Sequence, residues 1–219
     1  MTSTLKSLYC FTFLVACFLY SPGQIKKRYL EISYGPHSTF IKTPKRFNHD
    51  YKSGISRSFT VDILIPFSHR SNFQTGISIT NIKYSVDYDF VTQQPGDPNI
   101  PRSADFSPIY LEVPVTYCIN TSLRGRFSVF GCAGFIFSKL IVQNDKTTFE
   151  DNSIRRSGYL SEFLTSINLG VGILYSVNEK ISLNFKPQYR IFLSAFDNKM
   201  ESNPSLIGVQ FGLSYKLDN

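Results

Sequence analysis

The sequence predicts an all-β chain, an eight-stranded antiparallel up-and-down transmembrane β-barrel with four long external loops and three short periplasmic turns. Three observations lead there. Apolar and polar residues alternate with a period of two along eight segments of about 11 to 18 residues. The connections between those segments run long and short in turn. The face opposite the apolar one carries Ser, Thr, Gly, Asn and Gln with few charges, which suits a lumen better than a water-facing exterior.

Composition agrees. Charged residues make up 18 % of the 219 positions, below the usual quarter, and aromatics make up 15 % although Trp is absent. Disorder requires few aromatics and many charges. A membrane helix requires about 18 consecutive apolar residues, a run this chain lacks. Four Cys are too few for a disulfide scaffold of this length.

Taken in order, the first element is a targeting segment. Lys6 precedes an apolar stretch from Leu8 to Tyr20, and Ser21-Pro22-Gly23-Gln24 breaks it. This reads as a secretory signal peptide over residues 1–24, leaving a barrel domain over residues 25–219. Leu14-Val15-Ala16-Cys17 also looks like a lipoprotein box. The apolar run continues through Phe18-Leu19-Tyr20, which speaks against lipidation of Cys17.

The strands follow. Leu30, Ile32 and Tyr34 alternate with Glu31 and Ser33, and Phe59, Val61, Ile63 and Ile65 alternate with Thr60, Asp62 and Leu64. The third strand, Phe73 to Phe90, inverts its phase, with Ile77 and Ile79 on odd positions and Ile82, Tyr84, Val86 and Tyr88 on even ones. A bulge near Thr80-Asn81 is the expected cause. Ile109 to Ile119, then Phe127 to Ser138, supply the fourth and fifth strands. Ile167 to Val177 and Ile181 to Ser194 form the clearest pair, joined by Asn178-Glu179-Lys180, and Ile207 to Leu217 is the last strand. Long connections fall at Lys42–Ile55, Val91–Ser107, Gln143–Glu162 and Ala195–Pro204; short ones fall at Ser68–Asn72, Asn120–Gly125 and Asn178–Lys180. A soluble barrel carrying a small apolar ligand is the alternative fold. The two differ in whether the Ile, Leu, Phe and Tyr faces point out or in.

The last strand carries Gln210, Gly212, Tyr215 and Leu217 in a polar-x-Gly-x-x-aromatic-x-apolar pattern. It resembles the signal that the outer-membrane assembly machinery reads on its clients, so that machinery is an expected partner, as is outer-membrane lipid. Tyr110-Leu111-Glu112-Val113-Pro114, Ala133-Gly134-Phe135-Ile136-Phe137-Ser138 and the Ile207 to Leu217 ending together resemble the outer-membrane β-barrel domain family abundant in Bacteroidota, often called PorT-like. The resemblance spans about Leu30 to Leu217. It implies an integral outer-membrane barrel, with one branch of the family tied to secretion or assembly of surface proteins, and it brings no catalytic residues.

The inward charges are the candidate site. Glu31, Asp62 and Glu112 lie on the first, second and fourth strands, and Lys186, Arg190 and Lys216 on the last two. Buried charges need partners, so a structural ion-pair network filling the lumen is expected, with Glu31 facing Lys216 or Arg190. Eight strands leave an interior that side chains fill, so no open pore is expected. His37, His49 and His69 form neither a metal cluster nor a hydrolase constellation. No catalytic group, metal or cofactor is expected. Placing the fourth hairpin's turn near Leu123 sets Cys118 opposite Ser128 and Cys132 opposite Pro114, about 13 Å out of register. On that register both are free, inward thiols. Lys42, Lys45, Arg46 and Lys52 make the first long loop basic, most simply as a solvated loop. The basic residues are dispersed, and nucleic acid is not an expected partner. A protein partner, if any, would meet the long external loops.

Overall fold

β-Branched and aromatic residues at every second position favour extended backbone, and here eight such runs pair into one closed sheet. The computed structural model describes residues 28–41, 49–68, 70–88, 101–122, 126–149, 154–155, 160–195 and 203–217. The signal-peptide expectation, including Cys17, lies outside them.

The barrel strands are β1 (Arg28–Ile41), β3 (Ile55–Pro66), β4 (Ser71–Asn81), β7 (Ile109–Ser122), β8 (Phe127–Val142), β11 (Phe163–Ser176), β12 (Ile181–Phe192) and β13 (Pro204–Leu217). Each is antiparallel to the next, and β1 closes on β13 with Leu30 opposite Tyr215 and Ile32 opposite Leu213. Closure leaves no sheet edge exposed to lipid, the condition for a sheet to cross a bilayer. Among the described residues no helix is long and apolar enough to cross a membrane.

The apolar faces point outward. Val171 is 61 % exposed and Ile77 is 60 %, whereas the alternating residues Ser33, Thr60, Ser78 and Thr116 are buried inside. The soluble-barrel alternative required the reverse and is set aside. Three hairpins have short connections at one end. Ser68 Oγ and Ser71 Oγ lie 2.7 Å apart across the β3–β4 turn, and Asn178 Oδ1 accepts from the backbone N–H of Lys180 and Ile181, both at 2.8 Å, at the β11–β12 turn. By the usual arrangement of outer-membrane barrels this is the periplasmic end.

At the other end the long connections are more than loops. β2 (His49–Ser53), β5 (Tyr84–Tyr88), β6 (Pro101–Phe106), β9 (Asp145–Phe149) and β10 (Ile154–Arg155) form a second sheet in the order β10-β9-β6-β5-β2. The third sequence segment is therefore two strands, β4 and β5, broken at Ile82-Lys83 rather than bulged at Thr80-Asn81. The phase inversion has a physical reason. Ile77 and Ile79 face outward, whereas Ile82, Tyr84 and Val86 are buried in a core. Where the chain leaves the bilayer, apolar side chains must turn from lipid towards a protein interior.

Candidate functional site

The lumen is built in layers, and each layer follows from which residues occupy the inward positions. Nearest the long connections is an apolar cap. Phe192, Leu164, Leu206 and Tyr110 come from barrel strands, and Ile82, Val86, Ala104 and Phe106 from the second sheet and the segment leading into it. Tyr84 stacks on Phe106 with centroids 4.7 Å apart.

Below the cap lies an ion pair. Arg190 on β12 reaches Glu112 on β7 with both terminal nitrogens, at 2.8 and 3.1 Å. It must cross β11 and β8 to do so. The inward residues in its path are Ser166 and Ser138, small enough to let it pass, and their hydroxyls lie 2.7 Å from Arg190 Nε and 2.9 Å from Nη2. Ser138 and Thr80 donate in turn to Glu112, at 3.0 and 2.6 Å. The Arg190 guanidinium lies 4.4 Å from the centroid of the Phe192 ring, joining the pair to the cap. A buried ion pair holds when further hydrogen bonds satisfy both partners, and these do.

Glu31 and Asp62 are direct cross-strand partners, both buried. The Gln74 amide nitrogen donates to both, at 3.3 Å to Glu31 and 2.7 Å to Asp62, and Ser214 donates to Glu31 at 3.0 Å. Glu31 therefore meets neither Lys216 nor Arg190, against the sequence expectation. Closing the barrel sets it opposite Ser214, and Arg190 is committed to Glu112. Lys216 lies opposite Tyr29 at the periplasmic rim and is half-buried. Lys186 is buried, with its stem 3.2 Å from where a Cβ on Gly170 would stand. Gln210 donates to Ser33 across the closing seam. Of the other residues in the terminal pattern, Tyr215 faces outward, and Gly212 leaves room for Asn184, whose Nδ2 lies 2.5 Å from an ideal Cβ there.

His37 is buried within β1, its Nε2 2.8 Å from Ser58 Oγ. The cavity beside this pair is about 40 Å³, room for little beyond water. His49 is in β2, and His69 lies outside the described residues. Among the described residues no group of three His, Cys, Asp or Glu could hold a metal ion.

The free-thiol expectation is overturned. Cys118 sits directly opposite Cys132, and the two form a disulfide. The hairpin's symmetry point is near position 125, not Leu123, so the assumed register was four residues off. An even slip leaves every side chain on its proper face, and hydrophobic patterning cannot detect it. Gln74 Oε1 lies 3.7 Å from Cys118 Sγ. A disulfide sulfur carries no proton, so this is a packing contact.

Towards the short turns the lumen widens into a vestibule of about 1350 Å³, bordered by Glu31, Asn72, Gln74, Cys118, Asn184 and Lys186. At the external end Lys52 pairs with Asp87 on the second sheet, and that hydrogen bond raises the Lys52 pKa above its ordinary value. Lys42, Lys45 and Arg46 lie outside the described residues. Sequence reasoning missed Gln74, Thr80, Ser138 and Ser166. Inward Ser, Thr and Gln occur on every strand, and nothing local distinguishes the ones that meet a charge.

Comparison with known proteins agrees with this architecture. A family model described as "Outer membrane protein beta-barrel domain" matches residues 23–194. Among solved structures, the chain is similar to Neisserial surface protein A, with a TM-score of 0.53 and 9 % identity over 87 % of this chain and 97 % of that one. It is similar to OprG from Pseudomonas aeruginosa, with a TM-score of 0.51 and 12 % identity over 90 % and 99 %. It is also similar to Ail, the attachment invasion locus protein of Yersinia pestis, with a TM-score of 0.50 and 14 % identity over 89 % and 100 %. At these identities the likeness is one of fold. No curated protein matches the chain.

Proposed function

The chain belongs to the outer membrane protein beta-barrel domain family, and from that premise we propose that it is a non-enzymatic, non-conducting barrel that acts by binding a protein partner through its external sheet. It is an integral outer-membrane barrel, so the question is which part of it does the work. The observation that carries the reading is the closed lumen. The Glu112–Arg190 pair and the apolar cap lie one above the other across it, and the cavity at that level is about 40 Å³. A solute path would require both layers to open. What remains available to the outside is the sheet of β2, β5, β6, β9 and β10 with its connections, the usual place for function on a rigid scaffold.

A secretion-accessory role is the second reading. The PorT-like resemblance supports it, and the vestibule facing the periplasmic end favours it.

Planar-bilayer recording tests the closed lumen: the purified barrel should give no large, stable conductance steps, and such steps would refute it. Replacing residues 84–106 and 145–155 by short linkers tests the binding role. The shortened barrel should still shift in apparent mass on boiling in SDS, yet no longer compete with the full-length protein for its surface partner. Undiminished competition would shift the role to the vestibule and favour the accessory reading.

A further inference from the structure

Cys118 and Cys132 are fourteen residues apart in sequence and directly opposite across the β7–β8 pair, with Cα atoms 4.1 Å apart. Their side chains point into the barrel and are 2 % and 6 % exposed. One side of the lumen is closed by the apolar cap, and the other opens through the vestibule that Cys118 borders.

Access is the first consequence. Thiol–disulfide exchange requires the attacking thiolate to reach a sulfur atom, so a protein oxidant must bring its own disulfide to the cysteine. A domain of about 100 residues has a radius of gyration of about 13 Å, while eight strands enclose a space that side chains nearly fill. A vestibule of about 1350 Å³ admits small molecules but no folded domain.

Register is the second. The β7–β8 pairing runs from Ile109 opposite Val142 to Ser122 opposite Ser128, and an even slip along it preserves both faces. Lipid-facing and lumen-facing chemistry cannot penalise such a slip, but a covalent bond between directly opposed positions can. The β3–β4 and β11–β12 hairpins carry side-chain clamps in their turns; β7–β8 carries a covalent one.

We propose that this chain is a substrate of a periplasmic thiol oxidase while β7 and β8 are still an open hairpin, and that the bond formed sets their register before the barrel closes. The step balances within the two proteins. The thiolate of one cysteine attacks the oxidase disulfide, forming a mixed disulfide and releasing one oxidase thiolate. The second cysteine thiolate attacks the mixed disulfide, closing Cys118–Cys132 and releasing the oxidase as a dithiol. The chain loses two electrons and two protons, and the oxidase is reduced by two electrons.

Pulse-labelling in cells tests the order. Newly made protein is alkylated at intervals, and its disulfide is scored separately in the SDS-sensitive precursor and in the heat-modifiable barrel. The bond should already be present in the precursor. Free thiols in the assembled barrel that oxidise only later would overturn the order of events. The register claim has its own test. Cys118→Ser with Cys132→Ser should slow conversion to the heat-modifiable form severalfold, and conversion at the wild-type rate would overturn it. If that variant fails to assemble at all, Cys118→Ser with Asn120→Cys decides. In the native register position 120 is diagonal to Cys132, about 7–8 Å away and beyond disulfide reach. A 120–132 bond in the SDS-sensitive fraction supports slippage, and its absence there overturns the claim.

Discussion

Arg190 shows how much of the interior depends on single positions. Its guanidinium makes polar contacts with Glu112, Ser138 and Ser166, and Glu112 also accepts from Thr80 and Ser138. Removing one partner strands the other charge, which costs about 3–5 kcal/mol. Glu112→Ala or Arg190→Ala should each lower the urea midpoint of the vesicle-embedded barrel, read by Tyr fluorescence since the chain has no Trp. The double replacement Glu112→Ala with Arg190→Ala should cost well under the sum of the two single losses, and a strictly additive double variant would mean the two groups are not coupled. Glycine matters here for space. At Gly212 a side chain would run into Asn184, so Gly212→Val should cost more stability than Gly131→Val, where a Cβ meets nothing within 4 Å. The charges of this site were legible in the sequence. The groups that satisfy them were not, because a serine that bonds a guanidinium looks like any other inward serine until the strands are side by side.

Among the elements, β11 and β13 carry the clearest tests. Leu169 lies mid-way along β11 and faces lipid. Leu169→Arg should cost about 2–4 kcal/mol, the usual cost of an arginine near the bilayer midplane. The matching change on the lumen side, Asn168→Ser, should cost far less. On β13, Tyr215 projects outward beside the closing seam with β1. If Tyr215 is read by the assembly machinery, Tyr215→Ala should reduce the heat-modifiable fraction in cells while refolding into detergent in vitro proceeds as before. Equal loss in both would assign the residue to packing alone. Strand existence and facing were legible because the period of two is local. Strand ends were less so: β4 and β5 read as one run until the structure showed that the inverted phase marks the exit from the bilayer.

The whole molecule is a wall turned inside out with respect to a soluble protein. Its membrane-spanning part keeps polar side chains within and apolar ones without, and its conventional apolar core lies at the external end, between the barrel strands and the external sheet. Disrupting that core should therefore leave the barrel standing. Phe106→Ala removes the ring stacked on Tyr84 and should loosen the external sheet, seen as faster proteolysis between β5 and β9, with the SDS-resistant barrel retained. Loss of both together would mean that the cap and the barrel fold as one unit.

What the sequence alone determined is what depends on near neighbours: the eight barrel strands, their inward and outward faces, the three short connections and the lipid-facing exterior. Alternation is read over two residues, and the bilayer imposes it along every strand. The tertiary structure decided which positions meet across strands. It joined Cys118 to Cys132, sent Arg190 to Glu112 rather than to Glu31, and gathered segments of three long connections into one external sheet. The physical reason is that register is degenerate to an even slip as far as the faces are concerned, so the partners follow from contacts between strands and not from the pattern within one.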